Sequence, residues 1–202
     1  MKVLLSGFDP FGGDRVNAAQ LAVEGCRAPE GIELYKLIVP TVFGLAAEKV
    51  AEEAQRLRPD AIICVGEAGG RKAVTPERVG INIMDARIPD NEGNQPIDEK
   101  IAADGPDAYF STLPIKAMVQ CMKDAGYDAE VSNSAGTFVC NSLMYGVLHY
   151  VNTLFPNADG RPLAGFIHVP ADRPAENADG SVTPIPRTSA EALGEALKAL
   201  VK

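Results

Sequence analysis

DAIICV, residues 60–65, is a continuous apolar run opened by an aspartate and closed by Gly66. A run of that length bounded by turn residues reads as a strand buried on both faces, the habit of a central strand in a parallel sheet. Towards the N-terminus, residues 3–7 read as a first core strand, followed by a glycine- and proline-rich loop over 9–15. Helical spacing then covers 17–26 and 43–57, with a strand over 32–39 between them. Towards the C-terminus, 79–84 reads as a strand, and 114–125 and 138–154 as helices with a strand over 129–132 between them. AGFIHV (164–169) is a second doubly buried strand, and 190–201 a final helix. The segment 85–107 holds Pro89, Gly93, Pro96 and Gly105 with little periodicity, and a loop that long in a compact domain usually serves function. Residues 173–187, rich in proline, glycine and polar side chains, read as a mobile surface segment. Strands alternating with helices, without an internal repeat, predict one α/β domain over 1–202, its helices packed on both faces of a mainly parallel sheet.

The composition narrows the function. The chain has 202 residues, 46% hydrophobic and 23% charged, with a formal net charge of −8. Nucleic-acid binding requires a basic face that this balance does not supply. No apolar run reaches bilayer length, and the opening MKVLLSGFDPFGG reads as a core strand and loop, not a leader. Cys26, Cys64, Cys121 and Cys140 form no CxxC pair and suggest no disulfide framework, which fits a reducing cytoplasm. With two histidines and no HExxH or HxH, no metal or other cofactor is expected.

Chemistry concentrates in VSNSAGTFVCNSLMYGVLH, residues 131–149. A small polar turn over 132–136 leads into a helix carrying Cys140 near its start, where the helix dipole favours thiolate over thiol. A lone helical cysteine is more often a small core hydrophobe, so its partners decide. His149 lies two and a half turns further along the same helix, about 13 Å away and facing the opposite side. His168 remains, at the end of the strand 164–169, where ligands of open α/β sheets bind. A cysteine–histidine pair needs a third group to orient the imidazole. Glu67, Glu77, Asp85, Asp90 and Glu92 are candidates that spacing alone leaves open. Neither GFDPFGG nor GEAGGR matches a phosphate-binding loop. Phe8 and Phe11, flanking Pro10, could wall a small apolar pocket.

The segments LLSGFDPFGG (4–13), PERVGINIMDARIPDNEGNQPID (76–98), SNSAGTFVCNSLMYGVLH (132–149) and GFIHVP (165–170) together resemble the cysteine-type pyroglutamyl peptidases, the pyrrolidone-carboxylate peptidases. The resemblance implies an α/β/α sandwich, a cytosolic homotetramer, and an exopeptidase that removes N-terminal 5-oxoproline from peptides through an acyl-enzyme. It assigns the nucleophile to Cys140, the histidine to His168 and the glutamate to Glu77. It gives Arg87 a supporting role and puts the position of Glu67 at the substrate pocket, which Phe8 and Phe11 would wall. Relatives often carry glutamine where this chain has Glu67; an ionised glutamate cannot donate a hydrogen bond and raises the cost of a nearby thiolate. Another cysteine amidase or acyltransferase, or an inactive binding protein on the same fold, are the alternatives.

Overall fold

The computed structural model describes residues 1–155, 160–171, 175–176, 182–183 and 189–201. Its core is a sheet of β1 (Lys2–Phe8), β2 (Glu33–Val39), β3 (Ala61–Glu67), β4 (Thr75–Pro76) and β7 (Leu163–Val169), in the order β2-β1-β3-β7-β4. All pairings are parallel except that of β4 with β7. β1, β3 and β7 are buried along almost their whole length, as the apolar runs require.

Each face of the sheet has its own apolar cluster. On one side Val3, Leu5, Ile63 and Ile167 meet α1 (Ala18–Gly25), α3 (Ile115–Asp124) and α5 (Ser189–Leu197). On the other, Leu4, Ile62, Cys64 and Phe166 meet α2 (Leu45–Leu57) and α4 (Val139–Leu154). The three-layer α/β/α sandwich follows from this division, since alternate residues of one strand feed opposite clusters.

Several local expectations change. The strand expected over 79–84 is only β5 (Val79–Ile81), paired with β6 (Ala108–Phe110) in a two-stranded sheet away from the main one. The strand expected over 129–132 is not formed. Only the isolated bridges of Ala129 to Val74 and Ser132 to Glu77 remain, because this segment lies beside the short β4 region and not in the continuous sheet. β4 and β6 are too short to leave an alternation in sequence. Of the segment 173–187, only β8 (Ala175–Glu176) and β9 (Val182–Thr183) are described, as an antiparallel pair; its other residues lie outside the described residues.

Candidate active site

β3 and β7 end together, and their register pairs Gly66 with His168. Ala164, Phe166 and His168 alternate along one face of β7, so His168 extends the row that packs under α4. The antiparallel β4 brings Thr75 opposite His168, and the Glu77 amide donates to the Phe166 carbonyl at 2.8 Å. Two residues beyond Thr75, Glu77 therefore shares the face of His168. Its Oε1 meets His168 Nδ1 at 2.7 Å, and both residues are buried. Asp85 and Glu92 are exposed, and Asp90 is buried but holds the 90–94 turn and the Phe43 amide. Of the carboxylates proposed from sequence, Glu77 is the one bonded to His168.

Cys140 is the second residue of α4 and is half-buried. A Cβ placed on Gly66 would stand 2.9 Å from its Sγ and 2.7 Å from Phe166 Cζ, so the glycine is what lets the thiol reach the strand ends beside His168. Asn141 is fully buried; it accepts from the Ile81 amide and donates to the Ile81 and Ile83 carbonyls, fixing the first turn of the helix. Ser142 makes the first helical bond, to the Phe138 carbonyl, so the amides of Val139, Cys140 and Asn141 precede the helical ladder. His149 is remote from the thiol, stacked on Tyr145 with its Nδ1 3.1 Å from the Tyr109 hydroxyl.

The electrostatics differ from the simplest sequence expectation. Burial pushes the Cys140 thiol up to about 12, reinforced by the Glu77 charge and more weakly by Glu67, against lowering by Arg71 and the helix-start amide. The helix N-terminus acts in the expected direction but is outweighed. Burial also depresses the His168 pKa despite the Glu77 contact, with Arg71 adding to the depression. For Glu77, burial works upward, yet the hydrogen bonds of His168, Ser132 and Arg71 hold its carboxyl below the ordinary value. The Ser132 hydroxyl lies near that carboxylate while donating to the Ser134 carbonyl at 3.2 Å, and Glu77 Oε2 is left without a hydrogen bond of normal geometry. An ionised Glu77 requires the proton on His168 Nδ1, which leaves Nε2 with a lone pair. At neutral pH the resting site is therefore thiol, neutral imidazole and carboxylate.

Beside Cys140 lies a cavity of about 400 Å³, lined by Phe8, Phe11, Glu67, Arg87 and Phe138 among others. This is within the usual range for small-ligand sites, about 300–1,000 Å³. Larger hollows of about 650 and 590 Å³ elsewhere are lined by no cysteine or histidine. Phe8 is almost wholly buried and packs on Phe166, while Phe11 stands 5.4 Å from Phe138, which meets Phe43 edge-on at 5.2 Å. Phe138 is thus a wall residue that its helical spacing alone did not reveal. Asn17 caps α1 and donates to the Asp9 carbonyl, and Asp9 accepts from the Thr41 amide, fixing the aromatic loop. Glu67 accepts from the Ala18 amide at the start of α1 at 2.8 Å, and Arg87 is exposed at the rim. Among the described residues no group of three or more His, Cys, Asp and Glu side chains could hold a metal ion, and no helix is long and apolar enough to cross a membrane.

Sequence reasoning also missed Arg71. GEAGGR was read for its glycines, although an arginine closing a turn after a central strand is positioned to reach the strand ends. Its Nη1 meets Glu77 Oε1 at 2.6 Å and Thr75 Oγ1 at 2.5 Å, and its Nη2 donates to the Ser134 carbonyl at 3.0 Å.

Comparison with known proteins bears on what this arrangement does. The family described as Pyroglutamyl peptidase matches residues 1–202. A pyrrolidone-carboxylate peptidase of Clostridium perfringens is 58% identical over 173 residues, 84% of this chain and 78% of that protein. The crystal structure of pyroglutamyl peptidase I from Bacillus amyloliquefaciens superposes with a TM-score of 0.81 at 45% identity, covering 98% of this chain and 91% of the other. The pyrrolidone carboxyl peptidase from Thermococcus litoralis gives 0.84 at 37% identity, covering 99% and 93%.

Proposed function

The chain belongs to the pyroglutamyl peptidase family, and from that premise we infer that Cys140 is the nucleophile, His168 its base and acid, and Glu77 the group that orients His168. The enzyme is a cysteine-class hydrolase that removes N-terminal pyroglutamate from peptides. The observation carrying the residue assignment is the 2.7 Å Glu77–His168 bond at the strand end against which the Cys140 thiol packs.

5-Oxoproline is small, apolar along its ring methylenes and uncharged, because its amine is closed into a lactam. The cavity walled by Phe8, Phe11 and Phe138 suits that ring. The aromatic walls around the ring position offer a free α-ammonium no hydrogen-bond acceptor, which disfavours ordinary N-termini there. Glu67 and Arg87 line this cavity, and we assign them to the lactam and the following peptide unit.

The thiol and the imidazole both start uncharged, so the proton leaves sulfur only as the bond forms. Cys140 Sγ attacks the carbonyl that follows the oxoproline ring while its proton passes to His168 Nε2. Glu77 stabilises the imidazolium through Nδ1–H. The amides of Val139, Cys140 and Asn141 are the donors available to the oxyanion. The tetrahedral adduct collapses, the imidazolium gives its proton to the departing amine, and a thioester remains. Water, deprotonated by His168, then releases pyroglutamate and restores the thiol.

Around this chemistry we read residues 1–202 as one domain, supported by the matched span and by the single sheet beneath both apolar clusters. A cytoplasmic homotetramer is the assembly implied by the resemblance, and light scattering on the purified chain tests it. The activity is tested with a fluorogenic pyroglutamyl amide beside prolyl and glutamyl controls, before and after iodoacetamide. Selective turnover that alkylation destroys is expected, and Cys140→Ala should fold and be inert; turnover by that variant would refute the assignment. Turnover of the prolyl or glutamyl control at a similar rate would favour a broader cysteine amidase.

A further inference from the structure

We propose that Arg71 is a positioning residue of this site: its guanidinium keeps Glu77 an anion for His168 and ties that anion to the turn that presents Cys140. The proposal rests on the assignment of Cys140, His168 and Glu77 given above. Glu77 is fully buried, and a buried carboxylate without a cation is strongly disfavoured. His168 is neutral at rest and supplies a hydrogen bond but no countercharge. Arg71 reaches the same oxygen, Oε1, at 2.6 Å, so one carboxylate oxygen serves the imidazole and the guanidinium together.

An exposed ion pair would contribute little. This one joins a carboxylate with no exposure to a guanidinium side chain only 30% exposed, and the guanidinium also has two neutral acceptors. Of these, Thr75 stands opposite His168 in the β4–β7 pairing. The other, the Ser134 carbonyl, also accepts from Ser132, while the Ser134 hydroxyl accepts from the Gly136 amide. Gly136 turns with φ +78°, and α4 begins three residues later. Arg71 therefore spans the gap between the base's partner and the loop that sets the nucleophile. It does not line the substrate cavity.

Its charge has a predictable sign at the thiol. Glu77 and Glu67 disfavour the thiolate and Arg71 favours it; His168 stands at the same strand end, and Arg87 and Asp14 line the cavity. Removing Arg71 should slow alkylation of Cys140. A role in folding alone would not slow alkylation in a variant that keeps its fold.

The test compares Arg71→Gln and Arg71→Lys as purified full chains, with Cys140→Ala as reference. For Arg71→Gln, kcat should fall about 10- to 100-fold, the scale of a lost charged hydrogen bond, with KM within about threefold. Its iodoacetamide rate constant at about pH 8 should fall at least about threefold. Arg71→Lys keeps the charge but not the three-way fork, so its alkylation rate should stay near the parent's while kcat recovers only in part. Unchanged kcat in Arg71→Gln, or equal kcat loss in both Arg71 variants with unchanged alkylation, would overturn the proposal. If Arg71→Gln does not fold by circular dichroism, Arg71→Lys decides alone, and an alkylation rate that drops severalfold overturns it. Activity surviving Cys140→Ala would instead remove the underlying assignment.

Discussion

Glu77 and Asp90 are both buried carboxylates outside the regular strands, and their hydrogen bonds divide them into different tasks. Asp90 is saturated by neutral donors: the amides of Phe43, Glu92 and Asn94 and the Asn94 side chain, shared over both of its oxygens. Glu77 is lopsided, with Oε1 shared by a guanidinium and an imidazole and Oε2 left without a partner of normal geometry. A carboxylate whose acceptors are all spent on neutral amides can only hold a turn in place. One that keeps its charge concentrated on an imidazole can answer a proton that arrives during a reaction. The difference separates the group that shapes the cleft from the group that acts in it.

The largest test of this contrast is Glu77→Gln. An amide of the same shape holds the space but cannot offset an imidazolium, and its NH₂ can meet His168 or Arg71 only at the expense of a bond. We expect kcat/KM for a pyroglutamyl amide to fall by about 10²–10⁴-fold, the range of triad carboxylate losses. KM should change far less than kcat. A variant within about tenfold of the parent would mean that Glu77 is as structural as Asp90.

Asp90→Asn should show the opposite balance. One of its atoms becomes a donor facing donors, leaving a buried amide unpaired at a cost of about 1–3 kcal/mol. Urea unfolding should register that loss, and KM should rise because the Phe43 amide and the 90–94 turn are released together. The alkylation rate of Cys140 should stay at the parent's level. A large loss of kcat with unchanged stability would collapse the distinction.

The same contrast explains what could be read from sequence. Residues 60–65 and 164–169 are legible because helices cover both faces of their strands, so every position but Asp60 and His168 is apolar. Cys140 and His168 emerged from local geometry, since the helical spacing of His149 eliminated the rival imidazole. Glu77 could not be chosen by spacing, because it reaches His168 across 91 residues through a two-residue antiparallel pairing that leaves no periodic trace. The motif resemblance pointed to it, and the hydrogen bond supplies the physical reason. The state of the thiol is legible only in part, for a related cause. The helix start is a local feature, but burial and the Glu77 charge that outweigh it are tertiary. The strand expected over 129–132 failed likewise, its partner being a stretch too short to continue a sheet.

The smallest effect we predict lies in pH, and it also sets the two carboxylates apart. Glu77 and Asp90 both have lowered pKa values, so each contributes stability above its unfolded value that is lost on acidification through the carboxylate range. Glu77 alone is joined to a histidine whose pKa is depressed from 6.5. Below that value the unfolded chain takes up a proton at this position that the folded chain still refuses. The unfolded state then binds more protons, and folding stability must decline as pH falls from about 6.5 towards the carboxylate range. One group can contribute a slope of at most about 1.4 kcal/mol per pH unit. Urea unfolding between about pH 5 and 7.5 should show this decline in the parent chain and a shallower one in His168→Gln, the difference being the His168 contribution. His149 remains in both proteins and cancels. Parallel profiles for the two would mean that His168 accepts its proton as readily in the folded site as in water. The neutral imidazole required for proton transfer from Cys140 would then be lost over the same pH range in which free histidine charges.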